Sequence, residues 1–289
     1  MAGKYAFLPF LLNMDNRTTF IKSTEELHLT TLYSYCRNLF EGHKLPSHDH
    51  DHHLRVWHYT REMITLLPQE LREFSINDIE QLMLAVFFHD TGLTVTLSED
   101  HGSESAGILK RFLDHNQSAF PADSATAISA VEQHDKKEIP DPGDNDPVPG
   151  IPIIVSLCDD LDAYGPAGIL RYAEIYLLRG ISFAGLPERV LKNLKLRFRR
   201  FAHQKWIPVD LVAKHEKRYN YTREFYETMQ QQNAVQQKEI IRCYMDYHGT
   251  TEGSLRGFAL KLVTGKNEVF RNFGNALLAD LGSEHHCSP

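Results

Sequence analysis

The chain has 289 residues, 42% hydrophobic and 24% charged, which is ordinary for a folded protein of one large domain or two small ones. Thirty-one basic against 38 acidic residues leave a net charge of −7, which argues against a broad nucleic-acid or anionic-membrane surface. No stretch approaches the roughly 20 apolar residues that a membrane span needs. Four scattered cysteines, Cys36, Cys158, Cys243 and Cys287, form no CxxC pair and fit reduced thiols in the cytoplasm.

At the N-terminus, the apolar stretch from Ala6 to Leu12 is interrupted by Pro9 and followed by no small-residue cleavage site. It reads as a packing arm. Beyond it, helical spacing dominates and strand alternation is nearly absent, so the expected fold class is all-α. Helices are expected over 24–41, 50–67, 77–89, 100–116, 122–134, 151–164, 166–179, 187–206, 208–230, 234–248 and 254–281. Ser75 or Asn77 and Asp100 are candidate N-caps, and Gly42, Gly92, Gly165 and Gly180 stand where helices stop. The longest loop, 135–150, holds four prolines and two glycines and cannot continue a helix. A composition shift near Gly180 divides the chain into a core, 1–180, carrying the N-terminal arm, and a helical C-terminal extension, 181–289.

The informative excess is histidine, 16 in all, several of them in "SHDHDHHLRVWHY". Placed on the expected helices, the polar groups fall on apolar faces. His52 lies one turn before Val56. His89 continues the stripe of Ile79, Leu82, Met83 and Val86, with Asp90 beside it. His101 begins the stripe of Ser105, Ile108 and Phe112. His134 ends that of Ala127, Ala130 and Val131, and Asp159 follows Val155 by four. A single histidine on an apolar face is ordinarily a hydrogen-bonded core residue. Five helices aiming a His or Asp inward point instead to a divalent cation, because imidazole and carboxylate are what such ions take and the ion makes buried aspartates tolerable.

The order His52, then His89-Asp90, then Asp159 resembles the HD-domain metal-dependent phosphohydrolase superfamily, whose signature is H…HD…D. "HDHHLRV" is similar to its first metal-binding helix, where the ligand histidine is followed by Arg and Val at +3 and +4, which selects His52 over His53. "DDLDAYGPAGILR" is similar to the stretch around the last aspartate, where Leu follows at +2, which selects Asp159 over Asp160 and Asp162. "HGSESAGIL" and "AISAVEQHD" resemble the elements that bimetallic members add, bringing in His101 and His134. The resemblance covers roughly residues 24–180 and implies an HD-domain helical bundle. It implies one or two divalent ions, two being favoured: manganese or iron, with magnesium, nickel, cobalt or zinc as further candidates.

The resemblance also implies the chemistry, hydrolysis of a small phosphate ester, nucleotides included, through a metal-activated water. Asp90 is then both ligand and catalytic residue. His48, four residues before His52, is the candidate proton donor to the leaving group. Arg55, Lys136 and Arg171 are candidate phosphate ligands, with Lys137 beside them. The basic tract "LKNLKLRFRRF" puts Leu191, Leu194, Phe198 and Phe201 on one face and Lys192, Lys195 and Arg199 on another, which reads as a solvated face. The alternative is a di-iron oxygenase resembling myo-inositol or phosphonate-cleaving oxygenases, which share the scaffold and the six-ligand order. A regulatory binding protein would be expected to have a broken ligand set. An alarmone hydrolase would carry Glu-Asp where this chain reads "TGLTV". The expected partner is a small phosphorylated molecule, and a homo-oligomer is compatible with the sequence.

Overall fold

The most apolar segment of the chain lies at the centre of the molecule. In the computed structural model, which describes residues 8–68, 70–120, 123–135, 149–248 and 253–282, the helix Ile76–Phe88 is buried on every side from Gln81 onward. The sequence suggests an apolar stripe there; the structure surrounds the helix, because the short polar face is confined to its first turn. The described residues contain thirteen α-helices and no strand, so the protein is all-α.

In chain order the helices are α1 (Leu8–Thr24), α2 (Thr30–Phe40), α3 (His50–Leu66), α4 (Ile76–Phe88), α5 (His101–His115), α6 (Ala125–Gln133), α7 (Ile151–Asp162) and α8 (Gly165–Leu178). They continue with α9 (Leu186–Ala202), α10 (Val209–Met229), α11 (Val235–His248), α12 (Leu255–Val263) and α13 (Glu268–Asp280). Helices α1, α2, α3, α5, α6 and α7 pack around α4. Helix α8 carries α9, α10, α11 and α13 on its other sides, and one continuous apolar core runs through both groups.

Local chemistry sets the ends. Asp49 caps α3, its carboxylate accepting from the backbone N–H groups of Asp51 at 3.0 Å and His52 at 3.4 Å. Ser75 and Asp78 form a reciprocal capping box on α4. Asp100 precedes α5, but its side chain makes no capping bond. Gly180 takes a left-handed φ of 83° after α8, and the Gly180 and Ile181 N–H groups close the helix on Leu177 and Tyr176.

Two expectations need correction. The N-terminal arm is helical from Leu8, although its apolar residues share no single face. It is held from outside itself: Arg17 donates to the carbonyls of Ile64 at 2.6 Å and Leu67 at 2.9 Å, satisfying the end of α3. The single helix expected over 254–281 is two, because "TGKN" breaks it and Asn267 starts α13 by accepting from Val269 and Phe270 N–H. Most of the proline-rich loop, including Lys136 and Lys137, lies outside the described residues, as does Cys287. Cys36, Cys158 and Cys243 are free thiols. Among the described residues, no helix is long and apolar enough to cross a membrane.

Gly92 shows how tightly the chain turns after α4. A Cβ there would stand 2.1 Å from the His101 carbonyl oxygen and 2.8 Å from Ser105 Oγ, the hydroxyl that accepts the Gly92 N–H at 2.7 Å. Backbone must therefore move, so Gly92→Ala is expected to cost about 1–3 kcal/mol in a urea titration. A change below about 0.5 kcal/mol, the size of an ordinary surface substitution, would show that α5 can back away freely.

Candidate metal centre

The ends of five helices meet beneath α8. His52 enters from the first turn of α3. His89 and Asp90 follow the last turn of α4, His101 opens α5, His134 follows α6, and Asp159 sits in the last turns of α7. All six are buried. They form two groups whose donor atoms could hold a metal: His52, His89, Asp90 and Asp159, and Asp90, His101 and His134.

The distances are those of atoms that share an ion. In the first group, His52 Nε2 is 3.0 Å from His89 Nε2, 3.3 Å from Asp90 Oδ2 and 3.6 Å from Asp159 Oδ1. In the second, Asp90 Oδ1 is 3.0 Å from His101 Nε2 and 3.1 Å from His134 Nε2, and those nitrogens are 3.2 Å apart. Two ligands each about 2.1 Å from one ion, at right-angled to tetrahedral geometry, lie roughly 3.0–3.4 Å from each other. Asp90 gives one oxygen to each group and so joins them.

The outer ring nitrogens explain the orientation. Nδ1 of His89, His101 and His134 donates to the carbonyls of Val86 at 2.7 Å, Ser98 at 3.0 Å and Val131 at 2.7 Å. His52 Nδ1 donates to Asp162 at 2.8 Å. With Nδ1 carrying the proton in all four, each Nε2 turns a lone pair inward. This is how metal-bound histidines are held, and the residues present fit a divalent ion.

The charges fit as well. Asp162 is met by His52, by Arg55, whose Nε and Nη2 donate at 2.9 Å each, and by Arg171 Nη1 at 3.5 Å. Asp160 receives Arg197 at 2.6 Å and Arg200 at 3.2 Å. Asp159 faces Arg171 at 3.2 Å. Asp90 has chiefly imidazoles around it. Burial would push its carboxyl up, but the imidazoles of His89, His101, His134 and His52 around it outweigh that and hold it well below the usual range. These groups attract a cation.

A cavity of about 310 Å³ opens onto the cluster. His48 lines it, with Nδ1 fixed 2.9 Å from Glu174 Oε1, leaving Nε2 for the cavity. Tyr244 donates to the other Glu174 oxygen. Burial and Arg171 lower His48 to about 4, while Glu174 works against them. Arg171 lines the cavity with two buried nitrogens, Nε and Nη1, that lack a hydrogen-bond partner. Arg55, expected at the phosphate, is absent from the lining, its guanidinium being bonded to Asp162. Sequence reading also missed Asp162, Glu174, Tyr244 and Asp135, the last with Oδ2 2.8 Å from His101 Nε2. Asp162 stands one turn after Asp159, a spacing that could have marked it. Glu174 and Tyr244 gave no signal.

The basic tract behaves partly as expected. Lys192, Lys195 and Arg199 are exposed, and Leu194 and Phe201 are buried. A third face, Arg189, Asn193 and Arg197, turns to the cavity, and it was not separable from the other two by charge alone.

Residues 50–164 match the family model for the HD domain. No curated protein and no solved structure matches the chain. The segment from α3 to just beyond α7 thus matches the HD domain, which implies the superfamily of metal-dependent phosphohydrolases, and it holds a buried His/Asp cluster consistent with an HD-type metal site.

His53 separates two registers of α3. It is fully buried, neither ring nitrogen has a hydrogen-bond partner, and it packs edge-on to Phe40. It could join His52 and His89 in a third group, but that group has no carboxylate. His52→Ala is expected to lose the bound ion, measured by elemental analysis of protein purified without added metal, and His53→Ala to keep it. The reverse result would exchange their roles.

Proposed function

We propose that the protein is a metal-dependent phosphohydrolase acting on a small phosphate ester, a nucleotide being the first candidate. The observation that carries this reading is the junction of two ligand groups through Asp90, beneath a cavity that also presents Arg171 and His48. In this reading His52, His89, Asp90 and Asp159 hold one ion, and Asp90, His101 and His134 a second. The mixed nitrogen and oxygen donors suit manganese or iron, with cobalt, nickel and zinc behind them; magnesium, which prefers oxygen ligands and water, fits less well. Residues 1–180 serve as the catalytic core and 181–289 as an extension that completes the cavity wall with Arg197.

Charge supports an anionic substrate. Among the described residues, the lining holds four carboxylates, Asp90, Glu99, Asp135 and Asp159, and four guanidinium groups, Arg171, Arg179, Arg189 and Arg197. These balance, so each bound divalent ion leaves an excess of two positive charges. An anionic phosphate ester offsets part of it.

A divalent ion held here supplies a Lewis acid that brings the pKa of a coordinated water from 15.7 to about 7–9. The protein's own groups do the rest. Arg171 offers Nε and Nη1 to the phosphate oxygens, a charge-assisted contact that orients the phosphorus. Asp90 directs the attacking water by accepting its hydrogen bond. His48, with Nδ1 held by Glu174, delivers a proton from Nε2 to the departing alkoxide oxygen. Lys136 is a further phosphate ligand in this proposal, resting on its place beside His134 and Asp135 in sequence.

The deciding experiment combines metal analysis with a panel of phosphomonoesters and phosphodiesters. Oxygen uptake by the iron-loaded protein without phosphate release would overturn the hydrolase reading in favour of an oxygenase. Two variants test the roles. Asp90→Asn keeps the size but removes the charge shared by both groups. It is expected to abolish hydrolysis, and chelator should lower the melting temperature of the wild type far more than that of the variant. Equal shifts would make Asp90 a structural aspartate. Glu174→Gln is expected to lower kcat by about 10–100-fold with metal content unchanged; an unaltered kcat and pH profile would remove Glu174 from the proton path.

A further inference from the structure

Helices α8 and α9 are joined by a short turn and pack as a pair along one wall of the cavity. Their polar residues are spaced so that they repeat. On α9, Arg189, Asn193 and Arg197 stand at i, i+4 and i+8, on one face. On α8, Tyr172 and Tyr176 stand at i and i+4, their rings stacked at 5.7 Å. The Arg197 guanidinium lies 5.8 Å from the centre of the Tyr172 ring, and that of Arg189 lies 5.4 Å from the centre of Tyr176. Asn193, between them, donates to the Tyr176 hydroxyl. The wall is thus a ladder of two rungs. Arg171, Tyr172 and Arg197 form the inner one, beside Asp159 and Asp160. Tyr176, Arg179 and Arg189 form the outer one.

The rungs differ in how their charge is met. Inner guanidiniums face buried aspartates. In the outer rung, Arg179 donates to the backbone carbonyls of Leu97 and Ser98. Arg189 meets Glu99 at 3.2 Å, but that carboxylate is 73% exposed, and an ion pair so open to water is worth about 0–1 kcal/mol. A ligand oxygen can displace it. Arg189 also carries a buried Nε with no hydrogen-bond partner. Arg189 and Arg197 stand eight residues apart, a rise of about 12 Å along α9, while the tyrosine rings they cover are 5.7 Å apart, so the outer rung lies within about 12 Å of the inner.

We propose that Arg179 and Arg189 form a second anion subsite at the cavity mouth. It selects small substrates that carry, besides the phosphate at the metal centre, another phosphate or carboxylate within about 12 Å of it. This rests on the phosphohydrolase reading and narrows its substrate to a bis-anionic small molecule. A volume of about 310 Å³ is near the lower end for small-ligand pockets and suits a small molecule. Asn193 and the Tyr176 hydroxyl it bonds stand between the two rungs, with donors and acceptors for hydroxyl groups.

The test is calorimetric titration of manganese-loaded protein with octane-1,8-diylbisphosphonate and with octylphosphonate, which share a chain and differ in the second anion. The wild type is expected to bind the bisphosphonate at least about tenfold more tightly, the worth of one charge-assisted pair. Arg179→Ala and Arg189→Ala should each cut that preference to about threefold or less, and Arg189→Lys should restore part of it. No preference in the wild type, or one that survives both alanine variants, overturns the subsite. Phosphate release from octane-1,8-diol bisphosphate and from octyl phosphate is measured alongside. No release from either, with the binding preference intact, would strike the hydrolase reading and leave the subsite standing.

Discussion

Four imidazoles turn unprotonated nitrogens toward one carboxylate, and the rest of the molecule is arranged to keep them there. Lone pairs about 3 Å apart repel, and a buried carboxylate without a dedicated guanidinium costs several kcal/mol. A hydrogen bond from each outer nitrogen to a backbone carbonyl or to Asp162 contributes only about 1 kcal/mol. Those bonds do not create the affinity; they fix the tautomer. Stability of the arrangement must come from the packing of five helix termini and from whatever cation occupies the point at which they aim.

That logic explains what the sequence reveals and what it conceals. His52, His89, His101 and His134 were legible because each continues or ends an apolar stripe, and a polar group on such a face requires a partner. The helical fold was legible for the same periodic reason. Helix α1 was not, because its apolar residues share no face and its place is set by Arg17 reaching residues about fifty positions away. Glu174 was concealed differently. It lies within an almost wholly buried α8 and answers to His48, 126 residues earlier, a relation that no local pattern encodes. Arg55 was misplaced since the same guanidinium fits a phosphate or an aspartate, and only the fold shows that Asp162 stands in front of it.

The C-terminal half lacks a recognisable motif, yet it is not ornamental to the site. Arg197 and Arg200 occupy Asp160, and Tyr244 reaches Glu174. At the far end, Asp280 accepts from the Ala167 N–H at 3.1 Å and from Arg218 Nε at 2.8 Å, beside Gly165, whose missing side chain leaves room for the carboxylate. The last helix thereby holds the first turn of α8, the element that carries Arg171 and Glu174.

His52 and Asp162 are bonded across 110 residues of sequence, and the candidate ligands are distributed along nearly the whole of that interval. Zinc fingers gather their ligands within a few dozen residues and can fold around the ion. In the proposed reading the four-residue group is complete only when α3 and α7 are side by side. Metal capture there follows the emergence and collapse of the chain through Asp159. A cell short of metal would accumulate folded, empty protein ready to be loaded, and exchange of one metal for another would proceed through the native fold without unfolding it.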